Sequence, residues 1–224
     1  MSFKKKQNIV VIGGNGLIGK TIVDFLLNER FNVGVVDFGE KDVDDNRKLS
    51  YYKADINNPS QLKEVTKSLK LAYDNLDCII NCSYPKSKIY GLNVEEISLE
   101  AFNENVKLHL GGYFNVMKIF IEDFIEQGFG NIINFSSIQG EQSPKFHHYK
   151  ETDMTSPIEY TAAKSAIIAI SKYFAKYYKN KNIRINCISP GGIFDNQNSK
   201  FIEKYKQDTL NKGCLLYTSP SPRD

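Results

Sequence analysis

Short apolar runs alternate with longer stretches of helical period along most of this chain. The runs are Asn8–Ile12 (NIVVI), Asn32–Asp37 (NVGVVD), Leu49–Ile56 (LSYYKADI), Asp77–Ser83 (DCIINCS), Asn131–Ser137 (NIINFSS) and Ile183–Ser189 (IRINCIS). They are apolar runs rather than apolar–polar alternations, which predicts strands of a parallel sheet buried on both faces. Between them the pattern predicts helices at about Leu17–Asn28, Pro59–Ala72, Ser98–Gln127 and Pro157–Tyr178. A last helical stretch falls in SKFIEKYKQDTLNK, Ser199 to Lys212. Asn58 reads as an N-cap before Pro59, and Pro190 ends the sixth strand. Strand and helix in regular turn predict an α/β fold, a parallel sheet covered by helices. No repeat, low-complexity segment or linker interrupts the pattern, so one domain is expected.

Composition narrows the class. A chain of 224 residues with 41% hydrophobic positions can bury a substantial core. A net charge of +3 is too small to argue for nucleic acid or an anionic membrane as partner. Lys4–Lys6 reads as a solvated end, and the apolar run after it is too short for a signal segment or a membrane span. No later segment holds ~18 uninterrupted apolar residues, so a cytoplasmic protein is expected. Cys78 and Cys82 share one strand face ~13 Å apart, too far for a disulfide or a shared metal. They read as buried thiols. His109, His147 and His148 form no metal-ligand spacing with them, and no metal is expected.

The 25 Lys against 4 Arg, with abundant Asn and Ile, fit an A+T-rich genome. The last eleven residues, CLLYTSPSPRD, contain no Lys, Asn or Ile and carry two of the seven prolines. Back-translated, they resemble a transposon-type sequencing adapter. The native domain is therefore expected to cover residues 1–213, and Cys214–Asp224 to be a non-native scar.

The chemistry begins at IVVIGGNGLIGKTI. Gly13, Gly16 and Gly19 separate the first strand from the first helix, and Gly14, Gly16 and Gly19 also satisfy G-x-G-x-x-G. Glycines permit a tight turn and let backbone approach a pyrophosphate, whose charge the helix N-terminus favours. A purely structural glycine turn is the alternative. Asp37 ends the second strand, eighteen residues past Gly19. An acid there accepts both ribose hydroxyls and repels a 2′-phosphate, which favours NAD over NADP. The alternative is a turn Asp leading into acid-rich FGEKDVDDN. Asp55 is a candidate for the adenine edge.

Tyr160 and Lys164 lie four apart and share one side of a helix. Such a pair is usually plain helix surface. With a nucleotide nearby it has another use: a phenol of pKa ~10 becomes a proton donor and acceptor if a lysine favours its anion. Lys164 can also reach ribose hydroxyls, and Ala162 and Ala163 leave room beside the helix. Ser137 and Ser136 stand at the C-terminal end of the fifth strand, where open α/β sheets bind ligands, and would hold the substrate oxygen.

These residues make the chain resemble a short-chain dehydrogenase/reductase. The matching segments are GGNGLIG, Asp37, ADI (Ala54–Ile56), IIN (Ile79–Asn81), NFSSIQG, YTAAK and NCISPGGI, so the resemblance runs from about Asn8 to Ile193. It implies a Rossmann-type doubly wound sheet and an NAD-dependent oxidoreductase. It makes Ser137 the substrate-polarising serine, Tyr160 the acid/base and Lys164 its ribose-binding, pKa-lowering partner. It also assigns cofactor contacts to Asn15, Leu17 and Ile18 of the glycine turn, to Ile56, and to Asn81, Cys82 and Ser83. Pro190, Gly191 and Ile193 would line the nicotinamide side.

Three departures stand out. Where the family has N-N-A-G, this chain has NCSY, so Tyr84 replaces a glycine near the cofactor. The family's helix asparagine, which holds a relay water, falls on His109. His109 could relay protons itself with a pKa near working pH, with Asn105 sharing the role, or it could simply pack between Lys107 and the sheet. Third, Ser137 and Tyr160 are 23 apart, more than in compact members. The added segment forms a lid or substrate wall, or a plain surface excursion.

The segments SYPKSKIYG, HLGGYF, SPKF…Y…TDMTSPIEY and SPGGIFDNQ are similar to the branch associated with flagellin modification and legionaminic-type nonulosonic acid biosynthesis. That likeness implies a sugar or sugar phosphate as substrate, with Lys86, Lys88, Lys145, His147 and His148 available to an anion. A 3-oxoacyl or small-ketone reductase, or a non-catalytic dinucleotide-binding subunit, are the other readings. Family members end with a further helix and a seventh parallel strand that this chain is expected to lack, and a homo-oligomer is expected of the complete protein.

Overall fold

A computed structural model describes residues 7–40, 49–209 and 214. Six strands form one parallel sheet: β1 (Asn8–Ile12), β2 (Asn32–Asp37), β3 (Leu49–Lys53), β4 (Cys78–Asn81), β5 (Gly130–Phe135) and β6 (Ile183–Ile188). Five helices accompany them: α1 (Leu17–Asn28), α2 (Pro59–Ala72), α3 (Leu99–Gln127), α4 (Ile158–Tyr177) and α5 (Ser199–Gln207). The strand order is β3-β2-β1-β4-β5-β6, all parallel. Strands one to three therefore step outward one way from β1, and four to six step outward the other way. Between β1 and β4 the direction of travel reverses, which opens a crevice at their C-terminal ends.

Each strand's alternate residues feed a different face. Val10, Ile12, Val36, Ile79 and Ile132 pack with Leu62, Val65 and Leu69 of α2 and Val116, Phe120 and Phe124 of α3. Ile9, Val11, Val33, Val35 and Ile80 pack with Val23 and Leu26 of α1 on the other face. Every residue of β1 and β4 is buried, as the continuous apolar runs predict. Burying each such Val or Ile side chain contributes ~1.5–3 kcal/mol.

Local signals set the helix ends. The Asn58 side chain accepts from the backbone N–H of Ser60 and Gln61, with Pro59 behind it at the first helical position. Ser98 caps α3 in the same way, and Gly128 stops it in the left-handed conformation at φ 85°. α3 runs unbroken through Gly111 and Gly112. A Cβ at Gly112 would stand 2.4 Å from Ile56 Cδ1, so this glycine lets α3 lie close against the chain leaving β3.

Several expected boundaries move: β4 stops at Asn81 and β5 at Phe135, each two residues short of its apolar run. The third strand ends at Lys53 rather than Ile56, because Asp55 turns the chain: its carboxylate accepts from Asn57 N–H at 2.8 Å, and Gln61 Oε1 accepts from Asp55 N–H at 2.7 Å. The last helix ends at Gln207, with Asp208 as its C-cap, short of the expected Lys212; residues 210–212 and the expected tail beyond Cys214 lie outside the described residues. Cys78 and Cys82 are free thiols, with Cys78 buried and Cys82 partly so. Among the described residues no helix is long and apolar enough to cross a membrane.

Candidate active site

The crevice at the C-terminal ends of β1, β2, β4 and β5 is a cleft of about 1390 Å³. Gly13, Asn15, Gly16, Leu17, Ile18, Asp37, Asp55, Ile56, Cys82 and Ser83 line one end. Ser137, Tyr160, Lys164, Pro190, Gly191 and Ile193 line the other. Gly19, Asn81 and His109 stand behind these walls.

The glycine end is built by close backbone approach. Gly13 has φ 78°, and a Cβ on it would fall 2.7 Å from Ser83 Cα. A Cβ on Gly19 would fall 2.0 Å from the Gly13 carbonyl oxygen, so only glycine lets α1 fold back onto the turn. Gly16 differs: its Cβ would meet only the Gly13 oxygen, at 3.2 Å, with the cleft in front. Gly16 is also the N-cap of α1, and no side chain caps that helix. Its first N–H groups are left for an anion in the cleft. Asp37 is fixed at the rim, its two oxygens accepting from the N–H of Asn15 at 3.0 Å and Gly39 at 3.1 Å. Asn15 Oδ1 and Asn81 Nδ2 are buried without a partner among the described residues. A glycine cradle, a bare helix N-terminus and a fixed carboxylate together fit the dinucleotide expected from the sequence.

At the other end, α4 brings Tyr160 and Lys164 onto one side, facing the C-terminal end of β5. Ser137 Oγ accepts from Gln139 N–H at 3.2 Å, which leaves its own proton free to donate. The Ser137 hydroxyl also faces the Tyr160 phenol and favours its anion. Ser136 is not a second donor to substrate. Its hydroxyl is spent on the Lys164 carbonyl at 2.7 Å, tying β5 to α4. Lys164 is buried, and its ammonium donates to the Phe135 carbonyl at 2.9 Å. That ammonium also lies over the rings of Tyr113, Tyr160 and Tyr84, 5.5, 5.6 and 5.7 Å from their centroids.

The expected lowering of Tyr160 by Lys164 is reversed. Burial raises the Tyr160 phenol above its ordinary value, against which the Ser137 hydroxyl pulls it down. Lys164 faces the ring rather than the hydroxyl, so it does little for the anion. Lys164 itself is pushed down to about 8, mainly by burial.

His109 does not titrate near working pH. It is buried among the rings of Tyr84, Tyr113 and Tyr160, at 5.0, 5.7 and 6.4 Å between centroids. Burial first, and the Lys164 charge second, push its pKa down to about 2. The imidazole is therefore neutral, and its Nε2 is buried without a partner among the described residues. It is packed against tyrosines rather than between Lys107 and the sheet. Asn105 shares no relay, because its amide is committed elsewhere: Oδ1 accepts from Ser87 N–H at 2.9 Å, and Nδ2 donates to the carbonyls of Ile89 at 2.9 Å and Ala101 at 3.1 Å.

The segment between Ser137 and Tyr160 is a wall of the cleft, not a surface excursion. It carries short 3-10 turns at Ile138–Gly140 and Phe146–His148. Its residues Gln142, Lys145, Tyr149 and Thr155 line the cavity. Asp208, just past α5, gathers three of the expected anion-binding groups. His147 and His148 each bring Nε2 to 2.8 Å from one Asp208 oxygen, and Lys145 Nζ to 3.3 Å from the same oxygen. Ligand atoms of the two histidines and Asp208 lie within 4.8 Å of one another, with the Lys145 ammonium beside them. These contacts hold Asp208 below the usual carboxylate range, His148 contributing most.

Comparison with known proteins decides what this architecture is. The sequence profile described as short chain dehydrogenase matches residues 7–206, most of the chain. The chain belongs to the short chain dehydrogenase family. It is similar to post-translational flagellin modification protein A of Campylobacter coli, 36% identical over 92% of this chain and 85% of the relative. It is similar to the 3-oxoacyl-[acyl-carrier-protein] reductase of Thermotoga maritima, 27% identical over 74% of this chain and 62% of that one. Among solved structures it resembles a short chain dehydrogenase from Leptospira borgpetersenii with bound NAD+, at 32% identity and TM-score 0.86, over 97% of this chain and 86% of that chain. As a short chain dehydrogenase the protein is an oxidoreductase.

Two residues that sequence reading passed over serve this dehydrogenase's site. The Tyr113 hydroxyl, fully buried, sits among the carbonyls of Phe135, Asn81 and Ser83 at 3.0, 3.1 and 3.2 Å, where it ties the ends of β4 and β5 beneath Lys164. Glu159 is 1% exposed and accepts from Gly91 N–H at 3.3 Å. Neither belongs to a motif, and only the fold brings each to its partner.

The depressed Lys164 pKa predicts a stability signature. Its folded value of about 8 lies below the model-peptide 10.5, so between those two pH values the unfolded chain binds more protons. Wild-type stability attributable to this group should therefore rise from pH 8 to 10.5, with the whole penalty, about 3 kcal/mol, present below pH 8. Lys164→Met should melt several degrees higher at neutral pH, by an amount that shrinks toward pH 10. Thermal denaturation across that range measures it.

Proposed function

We propose that this chain transfers hydride between NAD and a hydroxyl or ketone of a sugar-type metabolite, in the building of a nonulosonic acid or a flagellin glycan. The observation that carries the reading is the meeting of Ser137, Tyr160 and Lys164 in one cleft with the glycine turn and Asp37. The fixed Asp37 carboxylate favours two free ribose hydroxyls over a 2′-phosphate, so NAD is preferred to NADP. The NAD+ bound to the Leptospira relative supports the same choice. The likeness to flagellin modification protein A supports the sugar class.

Gly13, Asn15, Gly16, Leu17, Ile18 and Gly19 shape the pyrophosphate cradle in this reading. Asp55 and Ile56 border the adenine, and Asn81, Cys82 and Ser83 form the floor. Pro190, Gly191 and Ile193 face the nicotinamide side. Bound there, NAD supplies or accepts the hydride. Ser137 donates its hydroxyl proton in a hydrogen bond to the substrate oxygen. Tyr160 takes the proton of that oxygen on oxidation and returns it on reduction. Lys164 moves from the Phe135 carbonyl to ribose hydroxyls. His109, neutral at working pH, packs against the Tyr160 ring and helps hold the phenol in place. The exposed Phe114, Tyr173 and Tyr177 on α3 and α4 support a homo-oligomer.

The test is NAD reduction, followed by absorbance, against a panel of sugar phosphates, nucleotide sugars and simple secondary alcohols, with 3-oxoacyl thioesters offered alongside NADH. Turnover confined to carbohydrates is expected. Efficient reduction of 3-oxoacyl thioesters with no carbohydrate turnover would replace the reading by the acyl one.

A further inference from the structure

The loop that follows β4, residues 84–91, is pinned by side chains from α3, from α4 and from the segment before α4. Two buried polar side chains are spent on it. Asn105, 3% exposed, binds Ser87 N–H and the Ile89 carbonyl, and Glu159, 1% exposed, binds Gly91 N–H. Thr155 adds a hydrogen bond from its hydroxyl to the Gly91 carbonyl at 2.6 Å. Fixing a loop this way pre-organises whatever it presents.

It presents an aromatic face and one ammonium. Tyr84 stands edge-on to Tyr160, 5.6 Å between centroids, and edge-on to Tyr90 at 5.8 Å. The Tyr84 and Tyr90 hydroxyls are hydrogen-bonded to each other. Burial raises both phenols above their ordinary value, so the face stays uncharged. Lys86 Nζ lies 5.9 and 5.8 Å from the centroids of these two rings. No carboxylate pairs with it among the described residues. All three residues line the cleft.

The other basic candidates drop out. Lys145, His147 and His148 are drawn to Asp208. Lys88 does not line the cavity, and Lys164 belongs to the reacting centre. Among the described residues, Lys86 is left as the cleft-lining cation of these candidates with no acidic partner, and Tyr84, whose ring it lies over, stands against Tyr160.

Resting on the oxidoreductase reading above, we propose that Tyr84, Lys86 and Tyr90 are the specificity wall of this enzyme, and that they select a ring-shaped carbohydrate carrying an anionic substituent. The aromatic face takes the C–H side of the sugar ring, and Lys86 takes the anion. A phosphate and a carboxylate share that chemistry, and a hexose phosphate and a hexuronate separate the two.

The test uses the full chain carrying Tyr160→Phe, saturated with NAD, so that binding is read without turnover. Calorimetry compares hexose phosphates, hexuronates and the parent neutral hexoses. The best anionic probe should bind at least tenfold tighter than its neutral parent. Adding Lys86→Met should reduce that ratio about 10- to 100-fold, the cost of one charge-assisted hydrogen bond, and Lys86→Arg should restore most of it. Equal binding of neutral and anionic probes, no binding of any carbohydrate, or a ratio untouched by Lys86→Met would overturn the wall. In active enzyme, turnover of neutral carbinols that ignores Lys86 would leave the oxidoreductase reading standing while the wall falls.

Discussion

Replacing Tyr160 with Phe should lower turnover by about 10³-fold or more while NAD affinity changes little. The phenol is the group placed to exchange a proton with a substrate oxygen held by Ser137, and general acid–base catalysis of this kind contributes ~10²–10⁴-fold. The substitution removes one oxygen and keeps the ring that packs against Tyr84 and His109. The fold should therefore survive, and melting temperature and NAD titration should match wild type. Because burial holds the phenol above its ordinary value, its loss of a proton should limit oxidation at neutral pH. The oxidative rate in wild type should rise with pH through the range in which the protein stays folded, and in Tyr160→Phe it should not.

The second large effect comes from two glycines three positions apart that should fail differently. Gly19→Ala places a Cβ 2.0 Å from the Gly13 oxygen and 2.8 Å from Gly14 Cα, both backbone atoms that yield only if the turn itself moves. Overpacking of that sort costs ~1–3 kcal/mol or more, so the melting temperature should fall and NAD binding should go with it. Gly16→Ala meets only one atom, at 3.2 Å, and projects into the cleft. It should melt within a few degrees of wild type yet bind NAD about 10- to 100-fold more weakly, the cost of about one lost hydrogen bond to the charged pyrophosphate. Melting curves and calorimetry on the pair separate a cofactor cradle from a purely structural turn.

The sheet was legible because parallel strands bury both faces and therefore leave unbroken apolar runs. Strand ends were less so: Asp55 reads as part of an apolar run until its carboxylate is seen to turn the chain. Tyr160 and Lys164 became legible only in company with the glycine turn, Asp37 and Ser137, and Gly13, Gly16 and Gly19 by their position between strand and helix. Directions of pKa shift were not readable, since they depend on burial. Tyr160 moves up rather than down, and His109 drops out of the physiological range because three tyrosine rings exclude water from it. Tyr113, Glu159 and Asp208 stayed hidden for another reason, as did the partners that take Asn105 out of a relay. Each acts on a partner from a different segment, such as Glu159 on Gly91 or His148 on Asp208, and no local pattern records such a pairing.

The measurement that bears most directly on the account follows the hydride itself. The chain is incubated with NAD and hexose phosphates carrying deuterium on every carbon, and the recovered dinucleotide is examined by mass spectrometry. A single deuterium on the reduced dinucleotide is predicted from wild type, and none from Tyr160→Phe. Reduced dinucleotide without label, label transferred equally by Tyr160→Phe, or no label from any carbohydrate offered would contradict it.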